Sequence, residues 1–189
     1  MTHQVNERKD RLTELFHVPK PVIAMIHMAG QDAVDRIKRA MIELQIYADN
    51  GIDGVIFENY HGDTHDVERA LMASRDLQLP LIKGVNILGS AYSPWALASI
   101  YKLDFIQFDN ILSSDMDLNR YADLRRRNQR VVTMGGVRFK YQPETGKTLE
   151  EDIRQGMSFY DIIVTTGECT GSAPTIENLR YFREVFDNL

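Results

Sequence analysis

Six times along this chain an apolar, β-type run ends in polar or glycine residues, and each time a helix-patterned stretch follows. The runs cover residues 21–28, 54–60, 81–88, 105–110, 131–137 and 161–167. They recur at about 30 residues, the length of one strand with its crossover helix and loops. Near-continuous apolar strands alternating with amphipathic helices predict a parallel sheet covered by helices. His27, Glu58, Asn59, Asn86, Asp109 and Thr166 punctuate the runs at their C-terminal ends. Barrels and doubly wound sheets place their chemistry at that end of the strands.

The helices can be placed by their caps. Asp32 is suited to cap a long helix reaching Asn50, with Ile37, Met41, Leu44 and Ala48 on one stripe and Gly51 closing it. Asp63 or Thr64 opens the second, Ser93-Pro94 the third, and the region of Asp115 the fourth. The fifth and sixth begin at Thr148 and Thr175. Residues 138–147, with Pro143 and Gly146, form the longest irregular segment and a candidate lid.

The 189 residues are read as one domain, residues 1–189, in which residues 1–19 are a helical extension carrying Leu12, Leu15 and Phe16 at helical spacing. A net charge of −5 gives no electrostatic reason to expect nucleic acid as a partner. The Arg125-Arg126-Arg127 run reads as a solvated outer helix face. No apolar run approaches the roughly 18 residues of a membrane span. One cysteine excludes an internal disulfide framework and, with no signal peptide in view, predicts a cytoplasmic protein.

Eight βα units close a TIM barrel, and six are present. An open parallel sheet is the alternative that six strands allow. An incomplete barrel leaves its first and last strands as edges, which predicts a homodimer that covers them.

Several residues carry candidate chemistry. His27 ends the first strand and is either a half-buried structural group or an acid–base residue. Of Glu58 and Asn59, only one can face the interior of a pleated strand, and a carboxylate at that depth needs a partner, a metal or a shifted pKa. Asn86 and Asp109 stand at equivalent strand ends, Asp109 on the same face as Gln107. Lys83 reads as a snorkelling or edge lysine, and His61, Asp63 and His65 as turn residues that resemble metal ligands in composition alone. Thr166, Gly167, Thr170 and Gly171 lie between a strand and a helix, where backbone N–H groups can cradle an anion. The competing reading is an ordinary glycine-rich connection.

Taken together, these stretches resemble the BtpA family. The resemblance is carried by residues 20–27 (KPVIAMIH), 51–59 (GIDGVIFEN), 84–88 (GVNIL), 104–106 (DFI), 163–167 (IVTTG), Thr170-Gly171 and residues 174–180 (PTIENLR). It implies a TIM barrel akin to the ribulose-phosphate-binding barrels, here shortened to about six βα units behind an N-terminal helix. It implies a retained Lys140 as well. The chain departs from the family pattern at Met28-Ala29-Gly30-Gln31, at Gln107 and Asp109, and at Gly136 and Arg138. The family's seventh and eighth strands, whose loops hold phosphate in related barrels, have no counterpart.

The expected function is therefore that of a BtpA-like barrel binding a small anionic or phosphorylated molecule at the strand ends. Its chemistry would be of isomerase or lyase type, with Glu58 or Asp109 as proton acceptor and His27 as acid. Asn59, Asn86, Lys140, Thr166, Gly167, Thr170 and Gly171 are expected to hold the ligand. No metal or cofactor is assigned. The alternative is a non-catalytic binding, regulatory or scaffold protein descended from such a barrel.

Overall fold

The computed structural model describes residues 11–110, 117–142 and 144–189. Six strands alternate with six helices: β1 Ile23–Ile26, α1 Ala33–Asp49, β2 Gly54–Glu58, α2 Thr64–Ala73, β3 Ile82–Asn86, α3 Ser93–Tyr101, β4 Phe105–Phe108, α4 Leu118–Arg127, β5 Val132–Gly136, α5 Leu149–Phe159, β6 Ile162–Val164 and α6 Ile176–Asp187. All neighbouring strands are parallel, and the sheet order is β1-β2-β3-β4-β5-β6. A doubly wound sheet reverses its strand order at a switch point. This one never does, so it is a curled, barrel-type sheet of six units.

Pleating sorts the side chains into two layers. Val55, Phe57, Val85, Ile106 and Phe108 point outward and pack with Leu44, Val67, Leu71, Trp95 and Tyr121 of the helices. Ile56, Phe105, Val132 and Met134 point inward and pack with Phe16, Leu12 and Leu15. Residues 11–16 are helical, and the Phe16 ring meets the Phe105 ring at 5.7 Å, so this segment plugs the N-terminal end of the sheet. The chemistry is thereby confined to the opposite end. β2, β4 and β5 are buried throughout, whereas β1 and β6 are mostly half-buried, as befits strands paired on one side only.

Three caps form at the residues the sequence names for them. Asp32 accepts from the Asp35 N–H, Thr148 from Glu151 and Thr175 from Asn178. At α2 the cap is Asp63, in a reciprocal capping box with Asp66. The cap of α4 is Asp117; the expected start near Asp115 lies outside the described residues. Pro94 occupies the first turn of α3, where a missing N–H costs nothing.

A second device repeats every two units. The aspartate before each even-numbered strand accepts a hydrogen bond from the backbone of the odd-numbered strand region before it. Asp53 accepts from the Val22 N–H at 2.7 Å, Asp104 from Lys83 at 3.0 Å and Asp161 from Thr133 at 2.9 Å. These clamps fix the register at the plugged end and thus the height of the residues at the other.

Candidate functional site

Register puts the site together. Glu58 pairs with Asn86 across β2 and β3, one step beyond the apolar layer of Ile56 and Gly84, so both side chains face inward at one level. Asn86 Nδ2 donates to Glu58 Oε1 at 2.8 Å and to Asp109 Oδ1 at 2.9 Å. His27 Nε2 lies 3.3 Å from Glu58 Oε2. Four of the residues picked out at strand ends thus meet in one connected group.

Gly136 makes room for this group. A Cβ there would stand 1.8 Å from the Asp109 carbonyl oxygen, so only glycine lets β5 approach the end of β4.

The electrostatics follow from burial and crowding. Burial, and then the neighbouring Asp109, raise the Glu58 carboxyl from 4.5 to about 7. Burial also raises Asp109, while the Asn86 hydrogen bond and the Lys140 charge oppose the rise. Burial lowers His27, helped by the charges of His61 and Lys140. The imidazole is therefore neutral near pH 7, where Glu58 is half protonated.

The remaining candidates divide. The Lys140 N–H donates to Thr166 Oγ1 at 2.8 Å, tying the β5–α5 loop to the end of β6. The Lys140 ammonium is within electrostatic reach of His27, Glu58 and Asp109. Asn59 turns away from the carboxylates, and its Oδ1 accepts the Leu88 N–H at 2.7 Å, holding the loop after β3. In the glycine-rich segment, the Thr170 N–H donates to Tyr141 Oη at 2.8 Å and the Ser172 N–H to the Cys169 carbonyl at 3.1 Å. Two of its amides are therefore engaged internally. Gly167 packs against Ser172, whose carbonyl would stand 2.1 Å from an added Cβ, and Gly171 takes a φ of +83°.

The segment read as a lid is pinned. Arg138 Nε and Thr145 Oγ1 both donate to the buried Asp152, at 2.9 and 2.8 Å, and Lys147 Nζ donates to Gln155. Lys83 snorkels outward to the Ser74 carbonyl at 3.0 Å. Asp63 is used as a cap, with His65 Nδ1 4.0 Å from it. Among the described residues no group of three His, Cys, Asp or Glu is placed to hold a metal ion. None of the described helices is long and apolar enough to cross a membrane.

Two features escaped the sequence reading. Tyr60 and His61 flank His27, with ring centroids 5.4 and 6.4 Å from it, and make an aromatic wall on the β1–β2 side. Gln142, from the β5–α5 loop, joins Asn86, Asp109 and the β3–α3 loop around a cleft of about 620 Å³. Both come from loops, where no periodicity signals which way a side chain turns.

No family model matches the chain. It is 26% identical over 201 aligned positions to the photosystem I biogenesis protein BtpA of Synechocystis sp., covering 89% of this chain and 69% of that protein. The six consecutive βα units agree with the barrel that the resemblance implies. The chain is a BtpA-like α/β protein of TIM-barrel type.

Proposed function

We propose that the protein carries out acid–base chemistry, of isomerase or lyase type, on a small phosphorylated molecule bound at the C-terminal strand ends. The observation that carries this reading is the single Asn86 amide joining Glu58 to Asp109 on the inner face of the sheet. Two carboxyls held so close do not both ionise readily, so near neutral pH one holds a proton while the other can accept one. Asp109, the less strongly shifted, is the acceptor. Protonated Glu58 is the donor, in place of His27, whose lowered pKa keeps its imidazole unprotonated and able to accept a hydrogen bond from Glu58. The Lys140 ammonium meets the charge of the ligand, with the segment from Thr166 to Gly171 beside it.

The test begins with thermal shift against phosphosugars, nucleotides and divalent ions, because a ligand that binds only the folded state raises its melting temperature. Compounds that bind are then incubated with the protein in D2O and followed by NMR. Deuterium entering a ligand carbon position, and lost in Glu58→Gln and Asp109→Asn, is the expected result. Saturable binding without exchange or turnover would favour a non-catalytic binding protein.

We also propose that two copies pair through the half-buried β1 and β6 edges. Support comes from an apolar groove of about 430 Å³ along β6 and α6, lined by Leu12, Ile163, Phe182 and Phe186. Bare parallel edges normally acquire cover, and two-fold pairing is the commonest way to supply it. Sedimentation equilibrium at micromolar concentration should give a dimer; a monomer would overturn this part of the reading.

A further inference from the structure

We infer that the cleft beside Asp109 takes the neutral, polyhydroxylated part of the ligand, a sugar ring or polyol chain, and that the ligand's charge lies outside it. The inference rests on the acid–base reading above and gives it a substrate class. The cleft is about 620 Å³, within the range of small-molecule sites. Its walls are the β3–α3 loop, the end of β4 and Gln142.

Its chemistry is distinctive. The only charged side chain among the described lining residues is the Asp109 carboxylate; the other polar side chains are the amides of Asn86, Asn110 and Gln142 and the hydroxyls of Ser90 and Tyr92. A phosphate placed here would face a carboxylate with no cation among the described lining residues; the Lys140 charge acts on Asp109 from outside the cleft, which is where a ligand's charge would meet it. A hydroxylated chain meets no such penalty, since each hydroxyl both donates and accepts.

Internal bonding narrows which atoms do the recognising. The Ser90 and Ser93 hydroxyls bond each other at 2.7 Å. Tyr92 is fixed by the Asp117 N–H on its Oη and by the Arg120 guanidinium, 3.9 Å over its ring. The Asn110 amide reaches Gln142 Oε1 at 3.4 Å. Asn86 spends Nδ2 on the two carboxylates, and Asp109 spends Oδ1 on Asn86. Asn86 Oδ1, Asp109 Oδ2 and Gln142 Nε2 make no hydrogen bond to a described residue. Two acceptors and one donor, separated around one cleft, match adjacent hydroxyls on a carbon chain. Asp109 is shared with the acid–base group, so the hydroxylated carbons bound here are the ones presented to it.

The experiment uses saturation-transfer NMR and calorimetry on the whole chain. The probes are neutral tetritols, pentoses and hexoses, ribose 5-phosphate and glucose 6-phosphate, and inorganic phosphate. The variants are Gln142→Leu, a loop change that should leave the melting temperature unaltered, and Lys140→Ala. At least one neutral sugar should bind saturably and compete with its own phosphate ester. Gln142→Leu should weaken both about tenfold, as expected for one lost hydrogen bond in a partly buried setting, and leave inorganic phosphate unaffected. Lys140→Ala should weaken inorganic phosphate and the phosphate esters and leave the neutral sugars unaffected.

Absence of any saturable neutral-sugar signal overturns the inference. So does weakened inorganic phosphate binding in Gln142→Leu, which would put the charge in the cleft. The two readings fail separately. Sugar binding that depends on Gln142 without hydrogen exchange in D2O sinks the acid–base reading alone, and exchange on a compound indifferent to Gln142→Leu sinks the cleft alone.

Discussion

His27 Nε2 lies 3.3 Å from Glu58 Oε2, and burial lowers the imidazole pKa while it raises the carboxyl to about 7. In water the imidazole would hold the proton in preference to the carboxylate; burial shifts that preference toward the carboxyl. The pair can form a neutral O–H to nitrogen hydrogen bond, without leaving a charge on the buried Glu58 side of the contact. Asp109, bridged to Glu58 through Asn86, adds its charge to the burial that keeps the proton on Glu58.

Glu58→Gln should therefore stabilise the protein at alkaline pH. A carboxyl raised from 4.5 to about 7 on folding contributes stability that is fully present below pH 4.5 and lost as the pH rises through 7. Discounted for partial solvation, the loss is about 2 kcal/mol. Gln keeps an acceptor for Asn86 and removes the charge. Melting curves of the two proteins should coincide near pH 4.5 and separate above pH 7, with the variant higher. An equal gap at all pH values would rule out ionisation as the cause.

Asn86→Ala removes the amide that satisfies both carboxyls. Each then loses a charge-assisted hydrogen bond in a largely buried position, and the destabilisation should be about 2 to 4 kcal/mol at pH 8. At pH 4.5, with Glu58 protonated, the cost should be smaller. Urea denaturation at the two pH values separates this account from a simple cavity, whose cost would not depend on pH.

Much of this was legible in the sequence because it depends on a period of two. Once residues 54–57 are read as a buried strand, inward positions 54, 56 and 58 follow, and Glu58 has to face the interior at the far end. The same counting places Asn86, while a neighbour one residue out of phase, Asn59, is directed elsewhere. The helix caps were readable because each uses residues three apart. The aspartate clamps were not, since Asp53, Asp104 and Asp161 act on Val22, Lys83 and Thr133 in other units. The cleft was hidden for the same reason: Gln142 meets Asn110 only after the α4 crossover has brought their loops together.

Gly136→Ala should damage the site more than the fold around it. The added methyl carbon would stand 1.8 Å from the Asp109 carbonyl oxygen and 2.7 Å from the Phe139 ring. A ring can rotate, but a backbone carbonyl can yield only if the end of β4 moves, and Asp109 moves with it. We expect a destabilisation of about 2 kcal/mol, in the range of overpacked cores. Ligand binding should fall further than in a variant of equal stability elsewhere, such as Val67→Ala on the helix side of the sheet. Equal losses in the two variants would argue against a site centred on Asp109.

Asp161 predicts a pH dependence of the opposite sign. Its Oδ2 accepts from the Thr133 N–H and hydroxyl, both at 2.9 Å, and its Oδ1 lies 2.6 Å from Arg125 Nη2. Burial alone would raise this carboxyl, but the Thr133 hydrogen bonds and the Arg125 charge outweigh it and hold it below the usual carboxylate range. A group depressed in this way contributes stability that is present above its unfolded pKa, near 4, and lost as the pH falls through the lower folded value. Asp161→Asn should therefore cost about 2 kcal/mol at pH 7, mostly the charge-assisted share of these bonds. The gap to the wild type should narrow as the pH falls below the unfolded value and through the lower folded one, where the aspartate becomes protonated in either state. The clamp joins β5 to β6 at the plugged end, far from the carboxyl group, so Asp161→Asn should leave the alkaline limb assigned to Glu58 unchanged. Acid and alkaline limbs of one stability curve would then report on two different ends of the same sheet, and a single substitution that altered both would break that assignment.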